Sequence, residues 1–164
     1  MKAKVFSVFC SLGKTTVGNK YENVCDLASS KYRHDYSKVK NEDLEKEKYK
    51  EQIPNKEWPN NYIDALKKAI SEYDIVLVPS NIDIRNLLVA NKIEFTLVLP
   101  KQTEEYRKII LNRLKERGNS EKLIACVMNW FKFWSRNPSD YKYPIEILNE
   151  DEFLEDLLIK KGLV

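Results

Sequence analysis

The chain is poor in the residues that build metal sites and disulfide frameworks. Its 164 residues include one histidine, His34, and three cysteines, Cys10, Cys25 and Cys126. No two of these stand at metal-ligand spacing, so neither a zinc site nor a disulfide framework is expected, and free thiols fit a reducing cytoplasm. No apolar run approaches the roughly 20 residues that cross a bilayer. The N-terminal apolar stretch ends at Phe9 with no small-residue cleavage site after it, so it reads as a first strand rather than a signal peptide. There is no internal repeat, and no basic stripe with interleaved aromatics that would point to nucleic acid. The net charge of +3 permits an anionic substrate without requiring one.

What is present is a folding composition, 43% hydrophobic and 32% charged, in a length that suits one domain spanning 1–164. Apolar β-prone runs alternate with helical periodicity. Strands are expected at Lys4–Phe9, Asn23–Leu27, Asp74–Pro79, Glu94–Pro100 and Pro144–Leu148. The run Ile75-Val76-Leu77-Val78 is continuous, as in a strand buried on both faces. Helices are expected from Thr15 to Tyr21, from Asn60 through Ile70, over Asp83–Asn91, over 103–117 and 119–135 with Gly118 between them, and over Glu150–Lys160. Residues 33–57 are dense in Lys, Glu and Asp and read as an exposed helical excursion, with His34 on it in solvent. The order βαβαβαβααβα implies an α/β fold, a parallel sheet with helices on both faces. Ligands of such sheets sit beyond the carboxyl ends of the strands, which directs attention to the residues after each strand.

After the first strand comes Cys10-Ser11-Leu12-Gly13-Lys14-Thr15-Thr16, then a helix. Gly13 lets the backbone approach an anion with no Cβ in the way. The amides of residues 11–16 can turn toward phosphate. Lys14 supplies a mobile point charge for the outer phosphates, and the Thr15 hydroxyl can ligate Mg2+. The full pattern G-x-x-x-x-G-K-[ST] lacks its first glycine, because Val8 stands there. The alternative is an ordinary strand-to-helix turn with an exposed lysine.

Other candidates follow the later strands. Asp26 ends the second strand and can take an acceptor proton, hold a metal-bound water, or simply bond turn amides. Ser29 and Ser30 come next. Ser80, Asn81, Asp83 and Arg85 follow the third strand, which ends in Pro79-Ser80 rather than an acid. Asp83 can reach a metal-bound water and Arg85 an acceptor phosphate, or the group merely caps a helix. Arg113 and Arg117 lie four apart on one helical face, placed to meet phosphoryl charge, with Arg107 nearby. The alternative is a solvated face paired with Glu104, Glu105 and Glu116. Trp58 and Tyr62, also four apart, can sandwich a base or staple a helix start. Leu123, Val127, Trp130 and Trp134 form one helical stripe, and Ile124, Met128 and Phe131 an adjacent one, together a core-facing surface.

The chain resembles the small P-loop kinases of the nucleotide kinase type, especially short phage-encoded adenylate-kinase-like proteins, which often carry a glycine-poor loop. The resemblance runs through Gly13-Lys14-Thr15-Thr16, Asp26-Leu27-x-Ser29-Ser30, Trp58-Pro59-Asn60-Asn61-Tyr62, Ile75-Val76-Leu77-Val78-Pro79-Ser80 and Arg113-x-x-x-Arg117-Gly118-Asn119. It implies a three-layer fold with strand order 2-3-1-4-5, an acceptor region after the first helix that includes 33–57, and a lid within 103–135. It also implies ATP and Mg2+ as cofactors, a nucleoside monophosphate or nucleoside as acceptor, and a place in the host cytoplasm. Lys14, Asp26, Arg113 and Arg117 would then be catalytic, and Ser29, Trp58, Tyr62 and Arg85 would contact the acceptor. A polynucleotide 5′-end kinase and a non-catalytic nucleotide- or partner-binding protein remain as alternatives.

Overall fold

The computed structural model describes residues 2–37, 53–134 and 142–164. Five strands form one sheet: β1 (Lys4–Val8), β2 (Val24–Asp26), β3 (Ile75–Pro79), β4 (Thr96–Pro100) and β5 (Ile145–Leu148). All pairings are parallel and the order is β2-β3-β1-β4-β5. The helices are α1 (Lys14–Lys20), α2 (Ser30–Arg33), α3 (Asn60–Glu72), α4 (Ile82–Ala90), α5 (Glu104–Glu116), α6 (Glu121–Trp134) and α7 (Leu154–Lys160). Among the described residues, no helix is long and apolar enough to cross a membrane.

The three central strands explain why the sheet holds. Ile75, Val76, Leu77 and Val78 are all buried, as are Leu97, Val98 and Leu99, so successive side chains on opposite faces are covered alike. Helix α3 covers this core with Tyr62, Ile63, Leu66 and Ala69, spaced three and four apart. Helix α5 contributes Tyr106, Ile110 and Leu114 at four-residue spacing. Its start is fixed by Thr103, whose hydroxyl accepts from the Tyr106 amide at 3.2 Å. On α6, Val127 and Phe131 of the two expected stripes are buried, and Phe131 meets Phe9 edge-on at 6.3 Å between centroids.

The expected excursion differs at its base. Residues 38–52 lie outside the described residues. Its two ends do not continue a helix. The Asp35 amide donates to the Ile53 carbonyl at 2.7 Å, the Asn55 amide donates to the Arg33 carbonyl at 2.8 Å, and His34 bridges Pro54 antiparallel. His34 is consequently half-buried rather than solvated. Burial, and then the neighbouring Arg33 charge, pushes its imidazole below the usual range.

Candidate functional site

β1 delivers the chain to the carboxyl edge of the sheet between β3 and β4. Val8 pairs with Pro79 on one side and Val98 on the other, and is fully buried. The position of the absent glycine is therefore the last residue of a central strand. Its backbone is ordinary extended chain, where a β-branched residue is at home.

The turn itself needs two left-handed residues, Ser11 at φ 65° and Gly13 at φ 99°. It is anchored from outside. Phe9 donates its amide to the Val98 carbonyl at 2.9 Å, and the Leu12 carbonyl accepts from the Leu154 amide at 2.9 Å. Leu12 is buried, so only its backbone is available to a ligand. The Arg113 guanidinium donates to the Ser11 carbonyl at 2.7 Å and stacks 4.4 Å from the Phe153 ring centroid. Phe153 lies against Gly13, 3.5 Å from where a Cβ would stand.

From this loop Lys14 folds back, and its Nζ donates to the Val8 carbonyl at 3.2 Å. Burial lowers its pKa most; Cys10 and Asp26 act in the opposite sense, and Arg117 adds to the lowering. Arg117, exposed at the end of α5, is thus close enough to be felt at Lys14, whereas Arg113 is spent on the loop backbone. The two arginines expected to act together therefore divide. Arg113 positions the loop, and Arg117, exposed in solvent, contributes only its charge at Lys14. Replacing Arg113 with Ala should lower stability by roughly 1.5–3 kcal/mol, the net worth of one hydrogen bond to a charged group. Denaturant melts check this, and unchanged stability would remove Arg113 from the loop's support.

Asp26 closes the opposite side. Its Oδ2 accepts from Thr15 Oγ1 at 3.2 Å, and its Oδ1 is buried with no hydrogen-bond partner among the described residues. α1 can lie this close to β2 because residue 18 is glycine. A Cβ there would stand 2.8 Å from the Asp26 Cβ. Gly18 is a packing position that the motif does not name, although a glycine inside a seven-residue helix is a signal of close approach. Thr16 is exposed and does not line the cleft.

A cleft of about 280 Å³ joins these groups. Cys10, Lys14, Thr15 and Asp26 form one side, Ser29, Ser30, Ser80 and Asn81 another, and Leu123, Val127 and Trp130 of α6 the roof. A larger groove of about 640 Å³ opens at the amino ends of the strands, beside Ala3, Phe95 and Tyr143. It holds none of the motif residues, and in parallel sheets chemistry belongs to the carboxyl end.

Several expected contacts are corrected. Tyr62 is fully buried, donates its hydroxyl to the Leu27 carbonyl at 2.9 Å, and sits 5.5 Å from the Trp58 ring, which leaves no room for a base between them. Burial raises the Tyr62 phenol far above its usual range. The Trp58 face is taken by Arg33, 4.4 Å away. Arg33 also donates through Nε to Ser29 Oγ at 2.9 Å and through both terminal nitrogens to Asp83. Asp83 is thereby committed to Arg33 and not to a metal-bound water. Burial alone would raise its pKa, but the guanidinium and backbone amides hold the carboxyl below its usual range. Arg85 is 1% exposed, donates to the Tyr143 hydroxyl at 2.9 Å, and does not line the cleft. Arg107 pairs with Glu104 at 3.5 Å on the solvated face. Arg33 was invisible in sequence because its meaning lies in Trp58 and Asp83, partners from two other segments.

Among the described residues, no group of three or more His, Cys, Asp or Glu could hold a metal ion. No family model matches the chain, and no curated protein matches it.

Proposed function

We propose that the protein is an ATP- and Mg2+-dependent kinase that transfers the γ-phosphoryl group to a nucleoside or a nucleoside monophosphate. One observation carries this reading. Lys14 and the Thr15–Asp26 pair face one cleft at the carboxyl end of a parallel sheet, around a loop pinned by Arg113 and Leu154. Phosphoryl transfer needs little covalent chemistry from the protein, and what it needs is positioning and positive charge.

Mg2+ keeps most of its waters and takes one or two protein oxygens together with phosphate oxygens. Thr15 Oγ1 and the unpartnered buried oxygen of Asp26 are such a pair of hard donors, so the residues fit the ion. Mg2+ would supply charge neutralisation on the β- and γ-phosphates. Lys14 leaves the Val8 carbonyl for the outer phosphate oxygens, exchanging a neutral acceptor for an anion. Arg117 adds a second cation on the same side. α6 covers the cleft and keeps bulk water from the transferred group.

A second reading, a nucleotide-binding protein without turnover, is favoured by the end of β3, where Ser80 stands and no acid does. Incubation with γ-labelled ATP, Mg2+ and a panel of nucleosides and monophosphates separates the two. Labelled product that vanishes on chelation is expected. Binding without transfer or hydrolysis would establish the second reading, and no binding would end both.

A further inference from the structure

We propose that the groove at the amino ends of the strands is a second binding site, for a small organic anion with an apolar body, independent of whatever the cleft at Lys14 binds.

The groove exists because β4 starts late. β1 meets β4 only at Phe6, Ser7 and Val8, whose partners are Thr96, Leu97 and Val98. Lys4 and Val5 therefore extend past the start of β4 with no residue of that strand beside them. The chain entering β5, from Lys142 to Pro144, forms the other bank, since pairing with β4 begins at Ile145. Between the two lies a recess of about 640 Å³, lined at its base by the buried Ala3 and Phe95.

The late start also leaves a donor. Successive residues of a strand in a sheet turn their amides to opposite neighbours. Lys4 donates toward β3, to the Asp74 carbonyl at 2.8 Å, and Phe9 donates toward β4, to the Val98 carbonyl at 2.9 Å. Val5 stands an even number of residues from Phe9, so its amide turns to the β4 side, where β4 has not yet begun. That amide has no hydrogen-bond partner among the described residues, and Val5 is buried where it lines the groove. A buried amide without a partner is costly, and an anionic oxygen is a strong acceptor for it.

Charge agrees with the donor. Lys2, Lys4 and Lys142 line the groove against one carboxylate, Glu94. All three lysines are exposed, and among the described residues none of them is in an ion pair. Exposed lysines are ordinary, but three around one recess with an unpaired amide favour an anion there.

The rest of the lining is hydrocarbon. Val89 is 58% exposed at this groove, with Ile93 and Pro144 beside it. The Phe95 and Tyr143 rings pack on each other at 4.4 Å between centroids, and Arg85 donates to the Tyr143 hydroxyl at 2.9 Å. That wall is therefore fixed, and offers contact area rather than a slot between rings. A mostly apolar recess of this size with a few polar groups suits one metabolite-sized molecule. Inorganic phosphate would leave the hydrocarbon uncovered, and a neutral molecule would leave the amide and the lysines unanswered.

Two dyes test this on the full chain: anilinonaphthalene sulfonate and its neutral parent phenylnaphthylamine, which lacks only the sulfonate. Emission titrations at low salt should show about tenfold tighter binding of the sulfonate or more, what several weak exposed charge contacts supply together. High salt should close the gap. Replacing Lys2, Lys4 and Lys142 together by Ser should bring the sulfonate down to the neutral dye, and Val89→Asp should weaken it about tenfold. All four side chains are exposed, so these variants should keep the wild-type Tm. In an isotope-labelled chain the Val5 amide resonance should move as the sulfonate is added. Decanoate and phenyl phosphate then compete with the dye, and displacement by one of them tells an acyl carboxylate from an aryl phosphate. Equal affinity for the two dyes, an unmoved Val5 amide, or displacement by neither competitor overturns the proposal. So does binding that is lost in Lys14→Met and kept in Val89→Asp, which would place the dye in the cleft.

Discussion

On the proposed kinase function, replacing Lys14 with Met should lower phosphoryl transfer by a factor of about 10²–10³ or more, the measured worth of one preorganised transition-state donor, and leave the chain at least as stable as before. The two halves of this expectation come from the same position. Lys14 is a cation held in a cleft, giving one hydrogen bond to the Val8 carbonyl in exchange for much of its hydration. Burial is the largest influence on its pKa and lowers it, against the raising effect of Cys10 and Asp26 and with the help of Arg117. A lysine whose folded pKa lies below its ordinary 10.5 releases its proton from the folded chain first. Between those two values the unfolded chain binds more protons, so this group's contribution to stability rises with pH across that window. At neutral pH the charge is therefore a burden on the fold. Denaturant melts of both proteins at pH 7 and pH 10 would show it, since the wild-type chain should gain on Lys14→Met as pH rises. A variant that fails to fold, or one that keeps full transfer, would overturn the assignment.

Gly18→Val is expected to lower stability by about 2–3 kcal/mol, the usual cost of forcing extra methyl groups into a packed contact. In a chain of this length that is a fall in Tm of roughly 5–10 °C. The position is on α1, where replacing glycine by alanine would ordinarily stabilise a helix by about 1 kcal/mol. Here the new Cβ would lie 2.8 Å from the Asp26 Cβ and 3.4 Å from the Asp26 amide nitrogen. Carbon atoms are repulsive well before that separation, so α1 or the end of β2 must move. Either movement draws Asp26 away from Thr15 Oγ1, and transfer should fall with stability. Gly18→Ala should show the same sign with a smaller size, because helix propensity offsets part of the clash. Calorimetry with a parallel transfer assay checks both. A Val variant with wild-type Tm and rate would mean that the two segments separate freely.

The all-parallel sheet was legible because strands alternating with helical periodicity imply parallel crossovers, and because Ile75–Val78 is apolar without a break; the strand order was an expectation of the family resemblance alone. Most boundaries moved by a residue or two, and the last helix begins at Leu154, four residues after the expected Glu150. β1 ends at Val8 rather than Phe9, although the Phe9 amide still donates to the Val98 carbonyl of β4. α2 could not be read, since four residues carry no periodicity. Spacing put Trp58 and Tyr62 on one face but not which ring faced the core, and Tyr62 proved to be core. The same limit applied to Arg113 and Arg117. A shared face on a helix says nothing of what lies opposite, and the loop lies opposite one of them. Trp130 belonged to a stripe correctly read as inward, but inward at that end of α6 means the cleft.

The loop from Cys10 to Thr16 is contiguous in sequence, yet its shape is not made locally. The Ser11 carbonyl is held across a separation of 102 residues, and the Leu12 carbonyl by the first residue of the last helix. During synthesis the strand, turn and helix of the motif emerge well before the groups that brace them, Arg113 and Leu154. Contacts of such long range close late. On the proposed function, triphosphate affinity should appear only once residue 154 has docked, and nucleotide should in turn slow amide exchange in α7, more than 130 residues downstream of the loop.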